Sequence, residues 1–205
     1  MKQYPSIDGR IVDLPIFAFA KYDGSQIRCE WDRKNGLHKF GSRKVLVGED
    51  HAFLGQAQSL VLTKYDGLNK VFRDRQFVKT TLFFEFYGPG SFAGVHIHDE
   101  EHTVTLFDVD VYKKGLLPPR EFLDLWKKTD VEHAELLYSG NPNSDFVKSV
   151  KDGTLPGMPF EGVVCKGPPL KRGFLPMMFK LKSMAWIQKV KSLYGNDPMA
   201  LADLL

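Results

Sequence analysis

At 205 residues and 23.3 kDa the chain can bury the core of one large domain, alone or with a small appendage, and is too short for two full ones. Its 43% hydrophobic content excludes a disordered chain, and 28 basic against 25 acidic side chains, net +3, fall short of an obligate nucleic-acid binder, so any such contact has to be local. Cys29 and Cys165 are too few for a disulfide framework and leave one bridge open, and the lack of an apolar leader or of a run near the roughly 18 apolar residues of a membrane span points to a soluble, cytoplasmic protein.

In chain order, β-rich runs bounded by Gly, Pro or Asp predict strands at 16–20 and 26–31. Phe53, Ala57, Leu60, Val61, Leu68, Val71 and Phe72 then recur at helical spacing over 52–72, with Asp66-Gly67 as a candidate break. Strands follow at 82–87 and 104–112. Pro118-Pro119 opens a helix bearing Phe122, Leu123 and Trp126, and a third helix spans 144–152 with Gly153 as its stop. After strands at 162–166 and 178–182, Ser183 caps a helix whose stripe is Trp186, Ile187, Val190 and Leu193, ended by Gly195, so that 183–205 forms a short helical tail. Strands mixed irregularly with helices, without repeat or linker, predict a single α+β domain of antiparallel sheets flanked by helices.

Four charged motifs interrupt apolar strands: Lys21-Tyr22-Asp23-Gly24, Glu85 within Phe84-Glu85-Phe86-Tyr87-Gly88, Glu161 opening Glu161-Gly162-Val163-Val164-Cys165-Lys166, and Lys180-Leu181-Lys182. The tetrapeptide alone is an ordinary turn with a solvated lysine. Period two puts Phe83, Glu85 and Tyr87 on one strand face and sets Lys180 beside Lys182, opposite Phe179 and Leu181. Like charges side by side destabilise a sheet unless an anion lies between them.

In order and spacing these motifs, with Leu106-Phe107-Asp108-Val109, resemble the covalent nucleotidyltransferases: ATP-dependent DNA ligases, RNA ligases and mRNA capping enzymes. Asp23-Gly24-Ser25-Gln26 and the segment from Phe86 to Gly94 look most like bacteriophage RNA ligases. The resemblance implies an ATP-grasp-like adenylation domain and an enzyme that joins 5′-phosphate to 3′-hydroxyl ends of nucleic acid, RNA favoured, through a lysyl-AMP intermediate. It implies ATP and Mg²⁺, with Mn²⁺ as a substitute, and RNA repair in a host cytoplasm as the setting. Lys21 becomes the nucleophile and Lys180 and Lys182 join it in catalysis; Asp23, Gly24, Arg43, Glu85, Phe107, Glu161 and Lys166 complete the nucleotide-binding set. Glu85 meets the ribose, Glu161 the metal, and Phe107 stacks on adenine. For Arg43 a solvated turn arginine stays open, and for Phe107 a core position beside Val109 and Val111.

An amine attacks only when neutral, and near pH 7.4 roughly one ordinary lysine in a thousand is. Lys166, Lys180, Lys182 and bound Mg²⁺ are therefore expected to lower the Lys21 pKa. Little chain follows Lys182, so no OB-fold domain is expected, which disfavours a DNA ligase or capping enzyme without excluding a minimal DNA ligase. Weak, salt-sensitive grip on nucleic acid, with adenylylation outpacing joining and room for an accessory protein, would follow. A non-catalytic RNA-binding relic is the alternative from another class, disfavoured by the intact lysines and glutamates. The His96-Ile97-His98-Asp99-Glu100-Glu101-His102 stretch reads as a polar hairpin loop rather than a metal site.

Overall fold

A computed structural model describes residues 1–51, 54–93, 100–169 and 175–204. Two antiparallel sheets carry the chain. β1 (Ile16–Lys21), β8 (Leu136–Gly140), β9 (Gly162–Pro169) and β10 (Pro176–Lys182) form the smaller one in the order β10-β9-β1-β8. β2 (Ser25–Asp32), β3 (Gly36–Gly41), β4 (Leu46–Val47), β5 (Lys79–Tyr87), β6 (Thr103–Val111) and β7 (Gly115–Leu116) form the larger in the order β4-β3-β2-β5-β6-β7.

Alternation along the strands decides what each sheet covers. Ile27, Cys29 and Trp31 of β2 and Leu82, Phe84 and Phe86 of β5 face one way, into the main core, where they meet Ala57, Val61 and Tyr65 of α1 (Gly55–Lys64) and its C-cap, Leu68 and Phe72 of α2 (Leu68–Asp74), and Phe122, Leu125 and Trp126 of α3 (Pro119–Trp126). Gln26 and Glu85 lie on the opposite face. In the smaller sheet Ile16, Ala18, Val163, Cys165, Phe179 and Leu181 pack on Phe146 and Val150 of α4 (Ser144–Lys151). The other face of that sheet turns Phe19, Lys21, Val164, Lys166, Lys180 and Lys182 towards a cavity between the two sheets.

The helix expected over 52–72 is indeed broken near Asp66-Gly67, and its first two residues lie outside the described ones. Pro119 sits at N1 of α3, the Asn143 side chain caps α4 from 2.9 Å, and Ser183 Oγ accepts from the Trp186 N–H at 3.1 Å to start α5 (Met184–Tyr194). Leu193 departs from the expected stripe: it is 51% exposed, while Tyr194 packs inward with Leu201 and Leu204 of a separate α6 (Pro198–Leu204). Both cysteines are free and buried in different sheets, which corrects the open bridge, and burial pushes the Cys165 thiol up to about 12. Residues 96–99 of the histidine stretch lie outside the described residues; His102 stacks on Phe86 and its ring nitrogen is 2.7 Å from the Pro89 carbonyl. Among the described residues no helix is long and apolar enough to cross a membrane.

Candidate active site

Lys21-Tyr22-Asp23-Gly24 is the chain's passage from the smaller sheet to the larger. It crosses at the cavity, and the crossing is tight: a Cβ on Gly24 would lie 2.2 Å from the Phe86 carbonyl oxygen, so no side chain fits there. Within the smaller sheet, Lys21 and Lys182 both pair with Gly162, one from each side, and Lys180 pairs with Val164. Gly162 has φ +142, and a Cβ there would sit 2.1 Å from the Leu181 carbonyl oxygen. A bare glycine lets the three strands close up where their lysines project. The Ser183 N–H holds the Glu161 carbonyl at 2.9 Å, which fixes the glutamate beside them.

The cavity, about 670 Å³, is of the size that takes a small-molecule ligand. Its walls bring together all ten residues singled out in the sequence: Lys21, Asp23, Gly24, Arg43, Glu85, Phe107, Glu161, Lys166, Lys180 and Lys182. They come from both sheets and from turns distant in the chain.

Charge in the cavity is arranged differently from the expectation. Lys21 Nζ lies 2.9 Å from Glu161 Oε1, and although burial lowers its pKa, Glu161, Glu85 and Asp23 together outweigh burial and raise it. Lys166, Lys180 and Lys182 by themselves do not prevail over the carboxylates, and Lys21 is a held ammonium. Lys182 goes the other way. Burial, reinforced by Lys21 and Lys180 against the pull of Glu161, brings it to about 8, and Lys180 is lowered by burial and by Lys21. Burial also lifts Glu85 to about 8, against the pull of Lys21, and raises Asp23, whose Oδ2 accepts the Ala93 N–H at 2.8 Å while Oδ1 has no hydrogen-bond partner.

Lys166 is not a loose cation near Lys21. Only 3% exposed, it donates to Asp108 Oδ2 and to the Phe107 carbonyl, each at 2.8 Å, and Tyr4 donates to the same carboxylate oxygen at 2.8 Å. Phe107 itself is re-aimed by a bulge. Phe83 pairs with Asp108 but Phe84 with Leu106, so Phe107 is the unpaired extra residue. Val109 and Val111 turn into the main core, and Phe107 lines the cavity edge-on to Tyr4 at 5.1 Å, which corrects the face it was expected to share with them. Arg43 is exposed at the cavity wall and donates to Ser6 Oγ at 3.1 Å.

Sequence reasoning missed Tyr4, Asp108, Lys44 and Trp186, all of which line the cavity or hold a residue that does. Asp108 stood inside a quoted motif and could have been matched to the buried lysine. Trp186 was read as helix packing, and nothing local in the sequence marks it otherwise.

No protein-family model and no curated protein sequence matches this chain. Solved structures do. An RNA ligase of Naegleria gruberi with ATP and manganese superposes with a TM-score of 0.62 at 18% identity, over 86% of this chain and 51% of that one. An archaeal ATP-dependent RNA ligase gives 0.65 at 15% identity over 97% and 52%, and a candidate ATP-dependent DNA ligase of Aquifex aeolicus 0.65 at 16% over 99% and 57%. The chain thus spans about half the length of each. At these identities the likeness establishes architecture alone: the chain has the fold that these RNA and DNA ligase structures share.

Proposed function

We propose that the protein is an ATP-dependent RNA ligase that seals 5′-phosphate to 3′-hydroxyl ends through AMP linked to Lys21. The observation that carries this reading is the convergence of Lys21, Glu161, Lys180 and Lys182 on one cavity that Phe107 and Tyr4 also line. An anionic group suits the lysines and a flat base suits the rings. Several cations gathered without equal anions are an electrostatic loss unless a polyphosphate fills the space.

In the first step Lys21 Nζ, having lost a proton, attacks the α-phosphorus; the bond to the β-phosphate oxygen breaks and pyrophosphate leaves, with Lys180 and Lys182 placed to balance its charge. A 5′-phosphate oxygen then takes AMP from Lys21, and the 3′-hydroxyl displaces AMP to form the phosphodiester. Glu161 Oε1 is what holds the Lys21 proton, so neutralising that oxygen is what frees the amine. Glu161, with the buried and unpartnered Asp23 Oδ1, offers hard oxygen donors that suit Mg²⁺ or Mn²⁺, which keep most of their waters. When bound, such an ion would supply charge to the phosphates and compensate Glu161. Glu85, neutral below about pH 8, can donate to a ribose hydroxyl as well as accept from one.

Incubation with Mg²⁺ and ATP labelled at the α-phosphate tests the reading. Wild type should hold label through denaturation and Lys21→Ala should not; an unlabelled wild type, shown by mass to carry no AMP beforehand, would leave a nucleic-acid-binding module. Nicked and single-stranded RNA and DNA then decide the substrate, with sealing of nicked DNA alone supporting the minimal DNA ligase.

A further inference from the structure

The Lys182 ammonium is gripped from three directions. Glu161 Oε1 lies 2.9 Å away, the Leu204 carbonyl at the end of α6 accepts a hydrogen bond from it, and the Trp186 ring lies beneath it with its centroid at 3.8 Å. Trp186 is 1% exposed, lines the cavity, and leaves its indole N–H without a hydrogen bond. Helix packing alone asks only for an apolar residue there, as Val190 provides one turn on. A buried aromatic with an unpartnered N–H is a costlier choice.

We propose that Trp186 is a positioning residue for the nucleotide's phosphates: its ring face holds the Lys182 ammonium over the cavity without neutralising it. The quadrupole of a ring attracts a cation yet carries no net charge, so the lysine stays attractive to an incoming phosphate. A carboxylate in the same place would fix Lys182 but repel the phosphate, and an aliphatic side chain would do neither. On phosphate binding Lys182 exchanges the Leu204 carbonyl for a phosphate oxygen and keeps the ring.

This rests on the nucleotidyl-transfer reading for its function but not for its geometry, and two measurements separate them. Exchange of labelled pyrophosphate into ATP gives KM and kcat for wild type, Trp186→Leu and Trp186→Phe. Trp186→Leu should raise the KM for ATP on the order of tenfold with kcat less affected, and Trp186→Phe, which keeps a ring face, should recover most of that loss. In a Lys182→Met background Trp186→Leu should cost nothing more. Equal losses in the Phe and Leu variants, a change confined to kcat, or a full loss in the Lys182→Met background would each overturn the proposal. The contact itself is read in wild type by NMR of ¹³C-lysine-labelled protein, where ring current should shift the Lys182 ε-methylene upfield. An ordinary position for that signal overturns the proposal even if the variants fail to fold, whereas a shifted signal in a protein that exchanges no pyrophosphate keeps the contact and removes the nucleotidyl-transfer reading.

Discussion

Lys21 and Lys182 face each other across Gly162 and reach the same oxygen, Glu161 Oε1, at 2.9 Å each. One carboxylate therefore controls the protonation of both. Glu161→Gln should lower the Lys21 pKa, so that acetylation of Lys21 by acetic anhydride, followed by peptide mass spectrometry, accelerates at lower pH than in wild type. An unmoved profile would mean that Glu161 does not hold the Lys21 proton.

Lys182, brought to about 8 by burial, should lose its charge within the working range of the protein. ATP affinity, measured by calorimetry with Lys21→Ala to prevent reaction, should weaken as pH rises through about 8. Adding Lys182→Arg should carry binding to higher pH, since a guanidinium stays protonated. Parallel profiles for the two would assign the titration elsewhere.

Glu85 has a folded pKa of about 8 against an ordinary 4.5. Between those values the folded state binds more protons than the unfolded, so stability falls as pH rises through this window. Glu85→Gln removes the dependence. Thermal melts should show the variant level with wild type near pH 4.5 and more stable at pH 8, on the order of a few kcal/mol at most. A variant that gains nothing at pH 8 would contradict the buried-acid account.

Lys166 and Asp108, 3% and 1% exposed, form a buried ion pair at 2.8 Å. Asp108→Ala should cost roughly 3–5 kcal/mol by stranding a buried ammonium, and adding Lys166→Met should recover part of it. Urea unfolding of both singles and the double gives the coupling, and simple additivity would argue that water already reaches the pair.

Gly162→Ala tests the close approach of the strands. With φ at +142 and the Leu181 carbonyl in the way, the change should cost about 2–4 kcal/mol and lower Tm by several degrees. It should also part Lys21 from Lys182 and reduce labelling by ATP beyond what the lost stability explains.

The sequence made the main strands readable because their alternation is strong: Leu82, Phe84 and Phe86 against Glu85 leave one register. It hid β3, β4, β7 and β8, which are short or half exposed, as in Gly36–Gly41 and Leu136–Gly140, so tertiary pairing rather than local pattern creates them. The gathering of the motif residues was legible from their order. What was not legible is long-range: which lysine pairs with which carboxylate, and the bulge that turns Phe107 out of phase with Val109. A period-two count cannot foresee an inserted residue, and the charge of Lys21 depends on Glu85 and Glu161 from two distant parts of the chain as well as on Asp23 in its own turn.

β9 lies between β10 and β1, so the strand that completes the lysine row is the last of the described strands to be synthesised, whereas Lys21 ends the first. During synthesis Lys21 emerges before Glu161 and Lys182 have been made. Until the chain has passed Lys182, the carboxylate and the lysine that flank Lys21 in the finished sheet do not yet exist. The topology ties the assembly of the Lys21 surroundings to synthesis of β10.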